Sequence, residues 1–536
     1  MKHNTDHLES SLGQDQLRKV VIGASLGTAF EWYDFFIFAT LATTVGPLFF
    51  PKSLGDTGIF LASLATYASG LILRPFGSML FGRLGDIAGR KTTFVITMIL
   101  MGVSTASVGL LPTYAQIGMW APVMLVILRC VQGLALGGEY GGAVTYVAEH
   151  VQTQARGYVT SWIQICATMG FFLSLIVVLI CKSLIDKDDF QDWGWRLPFL
   201  ISIILCLISY YVRRRLHESP IFERLKAAGE LSRSPLADSL LRWKNLYWVL
   251  ISLFGAVAGV GIIWYTGQFY VLFFMTKTLK MEASLAYGLL AIALGFSMPF
   301  YVLAGSLSDR IGRKKVLLIG FFLAGVSYLP IFKAMTHFAN PALESAMKSH
   351  PVKLIANECN SPLFSTAVSE CGKAKEYLNS AGVPHTLMLR DATDFQIQIG
   401  EAVPTTMSVT ELETNLRALG YPQVADPSQI NYPIVVLLLF VLALYICFAY
   451  GPVAAYLVEL FPTKIRYSSI SISYHLGTGY FGGGMLYIST LISTHTGDIY
   501  SGLYYPLAVI LMSVCIGGLL LPETYKRRLD QIEMQE

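Results

Sequence analysis

Gly82-Arg-Leu-Gly-Asp86-Ile-Ala-Gly89-Arg90-Lys91 and Gly305-Ser-Leu-Ser-Asp309-Arg310-Ile-Gly312-Arg313-Lys314 are two copies of one pattern, G-x-x-x-D-x-x-G-R-K. Each copy lies between two long apolar runs. In each, glycines permit a short turn that holds an Asp near a helix end and sets Arg and Lys at a membrane surface. The flanking punctuation repeats as well. Glu149 is followed by Arg156 seven residues on, and Glu459 by Arg466 seven residues on. From Gly82 to Glu149 is 67 residues and from Gly305 to Glu459 is 154; the excess of 87 nearly equals a polar stretch at 340–431. The second half is therefore read as a copy of the first that carries an insertion, and duplicated bundles of this kind are a transporter architecture.

Composition agrees with a chain made for lipid. Hydrophobic residues make up 54% of 536 positions and charged residues 14%, against about a quarter charged in soluble domains. Twelve runs are long enough to cross a roughly 30 Å hydrocarbon core: about 20–50, 59–81, 92–112, 121–147, 157–181, 194–212, 246–274, 284–306, 316–336, 433–457, 468–493 and 501–521. If both termini are cytoplasmic, the inner segments hold 24 of the 39 Lys and Arg residues, against six in the short outer loops. That bias sets the orientation. It also makes the net charge of +4 a signature of insertion rather than of nucleic-acid binding.

The expected fold class is an all-α membrane protein with twelve transmembrane helices in two pseudo-symmetric six-helix bundles. Its parts are a cytoplasmic N-terminus (1–19), an N-terminal bundle (20–212), a cytoplasmic linker (213–245), a C-terminal bundle (246–521) and a cytoplasmic tail (522–536). The insertion at 340–431 falls on the outer face between helices nine and ten. The first span is read as an uncleaved anchor. The insertion contains two weakly amphipathic runs, 366–380 and 408–419, compatible with a small folded cap or a loose loop. Cys359 and Cys371 within it are a candidate disulfide in an oxidising compartment.

The doubled motif resembles the loops between helices two and three, and eight and nine, of the major facilitator superfamily; the first copy has Ile87 where Arg is usual, and the second keeps Arg310. Narrower features resemble the metabolite:proton symporter family within it: Glu31-Trp32-Tyr33-Asp34-Phe35, Leu73-Arg74-Pro75-Phe76-Gly77, Arg129-Cys-Val-Gln132-Gly133 leading to Gly137-Gly138-Glu139-Tyr140, Trp193-Gly194-Trp195-Arg196, Glu218-Ser219-Pro220 and Glu459-Leu-Phe461-Pro462-Thr463. The resemblance covers nearly everything except the insertion. It implies proton-driven movement of α-ketoglutarate, citrate and other carboxylates, shikimate, or proline and betaine.

Charged side chains inside a bilayer are costly and mark pathways. Apart from Lys333, which is placed to snorkel, they are Glu31, Asp34, Arg74, Arg129 and Glu139, all in the first half. Three acids against two bases leave one carboxylate over, the kind of group that gains and loses a proton. Asp34 is the first candidate, with Glu31 one turn before it; the resemblance implies Asp34 as the coupling acid and Arg129 as its partner. Glu139, on the same face as Gln132, is a further coupling candidate. Arg74, about 12 Å into the membrane from Gly82, suits a carboxylate through a forked pair of hydrogen bonds. Trp32, Tyr33, Gln132, Tyr265, Gln268, Tyr450, Tyr474 and His475 are the other candidate substrate ligands, His475 also as a second titrating group. Asp86, Arg90, Glu149, Arg156, Asp309, Arg310, Arg313, Glu459 and Arg466 are candidate gate charges at the inner helix ends.

The expectation is a symporter at a cytoplasmic (inner) membrane, working as a monomer by alternating access, with a small organic acid as substrate because Arg74 and Arg129 are embedded where an anion needs them. Its partners are substrate, protons and the bilayer. A proline- or betaine-like zwitterion is the alternative, and a proton-driven exporter or a membrane receptor are the rivals. No nucleophile–base set, metal-ligand spacing or phosphate-cradling loop points to an enzyme, a metal or a cofactor.

Overall fold

The computed structural model describes residues 14–88, 90–149, 151, 153–213, 240–359, 367–390, 394–462, 465–527 and 529. Twelve long helical segments run between two ends of the molecule: α1 (Gln14–Thr40), α2 (Gly55–Ala88), α3 (Arg90–Leu110), α4 (Trp120–Thr145), α5 (Arg156–Leu184), α6 (Leu197–Arg213), α7 (Trp243–Thr278), α8 (Ala283–Ile311), α9 (Arg313–Ala339), α10 (Tyr432–Leu460), α11 (466–496) and α12 (Tyr504–Leu520). Among the described residues, nine of these are long and apolar enough to cross a membrane. Most of the 1–19 segment, most of the 213–245 linker and the end of the 522–536 tail lie outside the described residues.

Position in the bundle follows from how completely each helix is apolar. Helix α7, apolar on all sides, buries 72% of its most hydrophobic window, whereas α6 and α12 bury only 33% and present the rest to lipid. The halves meet along two seams, α5 against α8 and α2 against α11. The loops bearing the repeated motif lie at one end, here the motif end; the polar insertion follows α9 at the other. At the motif end Gly312 adopts φ 116, a conformation that glycine takes without strain, and so turns α8 sharply into α9.

Within the first half, α2 and α4 approach to backbone contact. A Cβ at Gly133 would lie 1.8 Å from the Gly70 carbonyl oxygen, and one at Gly137 would lie 2.0 Å from that of Arg74. Small residues serve this purpose in membranes, where close packing replaces the hydrophobic drive between helices. The contact also fixes the backbone that carries Arg74.

Two helices depart from regular α geometry. In α7, Leu253–Val257, Thr266–Tyr270 and Phe274–Thr278 are π-helical, and in α11 so is Leu476–Gly483. Such wide turns concentrate at functional sites, and both helices line the seam between the halves.

The insertion is a folded α/β unit, the small cap rather than the loose loop of the two forms its sequence left open. Strands β1 (Val352–Ala356), β2 (His385–Leu389) and β3 (Gln396–Ile399) form a sheet in the order β2-β1-β3, with β1 parallel to β2 and antiparallel to β3. Helices Glu370–Ala381 and Val409–Ala418 cover it, capped by Ser369 and by a Ser408–Glu411 capping box. A disulfide joins Cys359 to Cys371 across 5.2 Å between Cα atoms. The strands were hidden because each is only four or five residues long.

Two outcomes follow. Gly133→Ala drives a methyl into the Gly70 carbonyl and costs about 1–3 kcal/mol, seen as a lowered unfolding temperature in detergent. Gly288→Ala, with nothing within 4 Å of its Cβ, leaves that temperature unchanged. The second outcome concerns acid. Burial lowers the His385 imidazole from its ordinary 6.5 to about 4. Between those values the unfolded insertion binds more protons than the folded one, so its stability is full above about pH 6.5 and falls on acidification, by about 2 kcal/mol at pH 5. Hydrogen exchange of β1 and β2, corrected for intrinsic rates, speeds up accordingly at pH 5, and His385→Asn removes that dependence.

Candidate functional site

Near mid-height of the seam, α1, α2, α7, α10 and α11 converge on a small cavity of about 10 Å³, lined by Trp32, Arg74, Trp264, Tyr265, Tyr450 and Tyr474 among others. That is room for about one water, so the site is closed in this state. The Arg74 side chain is fully buried, and among the described residues none of its three guanidinium nitrogens makes a well-aligned hydrogen bond, the Tyr474 hydroxyl lying beside it. Its charge is offset by rings: the guanidinium carbon sits 5.1 Å from the Trp32 centroid and 5.8 Å from that of Tyr474. Such contacts are worth up to about 2 kcal/mol each when desolvated, less than the several kcal/mol that burying the ion costs.

The aromatic wall is continuous. Trp32 stacks on Phe36 at 4.9 Å, and Phe36 on Trp264 at 4.8 Å. Tyr67 donates to the Tyr265 hydroxyl at 3.3 Å, and the Tyr450 and Tyr474 hydroxyls bond each other at 2.5 Å. Gln268 donates to Thr168 at 2.9 Å, across the seam. His475 is fully buried behind Tyr474, their rings 5.5 Å apart. Gln268 and His475 thus stand outside the cavity lining, and two further expected ligands are elsewhere. Tyr33 turns away to donate to the Pro198 carbonyl at 2.6 Å, and Gln132 is held between Arg129 and Thr105. Phe36, Trp264 and Thr478 line the cavity unforeseen, because an apolar ring inside an apolar span carries no signal of its own.

Arg129 is not available to a substrate. It is enclosed by Phe35, Phe38 and Tyr67 at 4.5, 4.9 and 5.2 Å, and its Nη1 donates to the Phe35 carbonyl and to Gln132 Oε1. The expected direct pairing of Arg129 with Asp34 is absent among the described residues, and the chain of bonds from Arg129 ends on the main-chain carbonyl of Asp34, not on its carboxyl. Gln132 Nε2 donates to Thr105 Oγ1 at 2.7 Å, and Thr105 reaches the Asp34 carbonyl at 3.4 Å. The Asp34 side chain, 3% exposed, points toward α6 at Ser202 and Cys206, and its Oδ1 has no hydrogen-bond partner among the described residues. Glu31 is equally buried one turn earlier, and Glu139 accepts a bond from Thr28 at 3.0 Å.

The motif end is closed by charges that cross between the halves. Glu459, fully buried, accepts from Arg156 at 2.9 Å, from Arg313 at 3.1 Å and from Thr524 at 2.8 Å. Arg313 also pairs with Asp309 at 2.6 Å, and Asp309 accepts from the backbone N–H groups of Gly157 and Tyr158 at the N-terminus of α5, where a helix favours negative charge. Glu459 thus pairs with Arg156 and Arg313 rather than with Arg466, whose Nε donates to the Phe461 carbonyl. Arg310 is exposed and takes no part in this lock. The side chains of Asp86, Arg90 and Glu149 lie outside the described residues.

Comparison with known proteins fits this architecture. The family model described as "Sugar (and other) transporter" matches residues 20–241. The inner membrane metabolite transport protein YhjE of Escherichia coli (strain K12) is 37% identical over 345 residues, 63% of this chain and 77% of that protein. The glycine betaine/proline/ectoine/pipecolic acid transporter OusA of Dickeya dadantii (strain 3937) is 36% identical over 59% of this chain, and the proline/betaine transporter of Escherichia coli (strain K12) is 35% identical over 59%. The chain spans about 65% and 64% of the lengths of these last two. The xylose transporter XylE of Escherichia coli, in a partially occluded inward-open conformation, superposes with a TM-score of 0.60 over 96% of this chain at 16% identity, a likeness of fold.

The lock makes its own prediction. Glu459→Gln leaves two buried guanidinium groups facing each other, and breaking such a cluster costs about 3–5 kcal/mol. Ser161, buried against Gly305 at this seam, reports the opening: a cysteine placed there is alkylated by a water-soluble maleimide at least about tenfold faster in the Glu459→Gln background.

Proposed function

The chain belongs to the major facilitator superfamily, a family of transporters and not of enzymes, in its metabolite:proton symporter family, and we propose that it is a proton-coupled symporter that imports a small zwitterion of the proline or betaine kind. The observation that carries this reading is the buried guanidinium of Arg74, without a well-aligned acceptor among the described residues, facing a wall of Trp and Tyr rings. A carboxylate takes the guanidinium in a forked pair, while a quaternary or secondary ammonium takes the ring faces. One molecule carrying both groups pairs the guanidinium locally and leaves the net charge of the site unchanged.

The organic-acid expectation rested on two embedded arginines. With Arg129 enclosed by rings and engaged with Gln132, one free cation is left, and a di- or tricarboxylate would bring uncompensated charge into a dry cavity. Two of the relatives reported above bear names that include proline and betaine, which favours the same reading.

In the proposed cycle the motif end is cytoplasmic, as the Lys and Arg bias supports, both termini lie on that side, and the disulfide-bearing insertion faces the periplasm of a cell with an inner membrane. The Glu459 lock holds the cytoplasmic side shut while substrate enters from the opposite face. Asp34 accepts a proton on that face and releases it inward. The two halves then rock about the seam, breaking one closure as the other forms.

Reconstitution in proteoliposomes tests this. An inward proton gradient is expected to drive accumulation of proline or glycine betaine, abolished by a protonophore, while citrate and α-ketoglutarate are not accumulated. Arg74→Ala is expected to weaken uptake about a hundredfold, the worth of two charge-assisted hydrogen bonds, at unchanged membrane abundance. Asp34→Asn is expected to lose accumulation while keeping counterflow exchange. Carboxylate uptake without proline or betaine uptake would sink the zwitterion reading.

A further inference from the structure

The insertion is fastened to the second half by bonds to backbone groups. Lys375 Nζ reaches the His495 carbonyl and Asn379 Nδ2 that of Thr494, both at 3.0 Å; the His385 N–H donates to the Gly497 carbonyl at 3.0 Å, and the Ala425 N–H to that of Lys280 at 2.9 Å. From this anchorage the helix Glu370–Ala381 extends across the seam to the first half, where the Glu376 carboxylate packs on Gly55 at the start of α2. Beneath it lies a cavity of about 290 Å³ walled by three bodies: Asp56 and Phe60 from the first half, Lys277 and Thr494 from the second, Asn379 and Ser380 from the insertion.

The charges in this chamber are unbalanced in a specific way. The Lys277 ammonium lies 5.2 Å above the Phe60 ring. Lys280 donates to the Ser380 carbonyl and holds φ at 56, the only non-glycine residue with positive φ among the described residues, a conformation that costs about 1–3 kcal/mol and persists where its surroundings demand it. Burial lowers the Lys280 ammonium to about 8, with Lys277 adding to the effect and Asp56 opposing it, so the charge is poorly solvated. Two cations face one carboxylate. A ligand that presents a carboxylate to the lysines and a cationic end to Asp56 pairs each of these charges without adding net charge to the chamber.

The floor of the chamber is aromatic. Phe60 meets Phe273 edge to face at 5.2 Å, and below them Tyr67, Tyr265, Phe36 and Trp264 close the way to Arg74. We propose that the chamber is a second binding site, a vestibule that receives a zwitterionic carboxylate while the aromatic layer is shut, with Lys277 and Lys280 taking its carboxylate and Asp56 its cationic end. The proposal rests on the reading of the protein as a carrier of such zwitterions, but its residues are separate from those lining the Arg74 cavity.

Equilibrium dialysis of the full-length protein in nanodiscs against radiolabelled glycine betaine tests it. The wild type is expected to saturate near two molecules per chain. Lys277→Gln and Asp56→Asn, both at exposed positions that spare the fold, are each expected to weaken one of the two sites at least about tenfold. Arg74→Ala is expected to remove the other. Saturation at one molecule, lost in Arg74→Ala and untouched in the vestibule variants, overturns the vestibule and leaves the carrier reading standing. Two sites that neither vestibule variant weakens overturn it as well. Wild-type protein that takes up no glycine betaine overturns both readings together.

Discussion

A guanidinium sealed from water and, among the described residues, without a well-aligned acceptor is a costly object, and Arg74 sets that cost in the seam between the two halves. Much of the surrounding structure answers it. Glycines at 70, 133 and 137 bring α2 and α4 to backbone contact and fix the position from which the side chain extends. Trp32 and Tyr474, from opposite halves, supply the ring faces that offset part of the charge. That offset is partial.

Glu459 presents the opposite case. Its carboxylate is saturated by Arg156, Arg313 and Thr524, and each added donor makes the motif end harder to open. One buried charge is satisfied by three partners and the other is not. Both sit between the halves, so a motion of one half against the other changes their surroundings together.

The repeated motif revealed the duplication, its offsets located the insertion, and the scarcity of charge inside the spans singled out Asp34, Arg74 and Arg129. Pairing was not legible. Spacing along the chain reports only local neighbours, whereas the partners of Glu459 come from α5 and α9 and are set by the tertiary fold. The fate of Arg129 was hidden for a similar reason: only the packed bundle shows Phe35, Phe38 and Tyr67 closing around it. Trp264 and Phe36 were invisible as ligands because burial against lipid and burial against a cavity select the same residue types. The sheet in the insertion escaped notice because its strands are shorter than a run that alternation can establish.

The π-helical turns of α7 and α11 carry a mechanical consequence. A π turn holds one residue more than the α-helix around it can place, and sliding that surplus by one position turns the intervening side chain by about 100° about the helix axis. Thr266–Tyr270 sits beside Tyr265 at the cavity wall, and Leu476–Gly483 follows Tyr474. Migration of the slack would swivel wall residues toward or away from the cavity while both helix ends stay anchored. A carrier with such joints in two facing helices reshapes its centre by local rotation, ahead of any displacement of whole bundles.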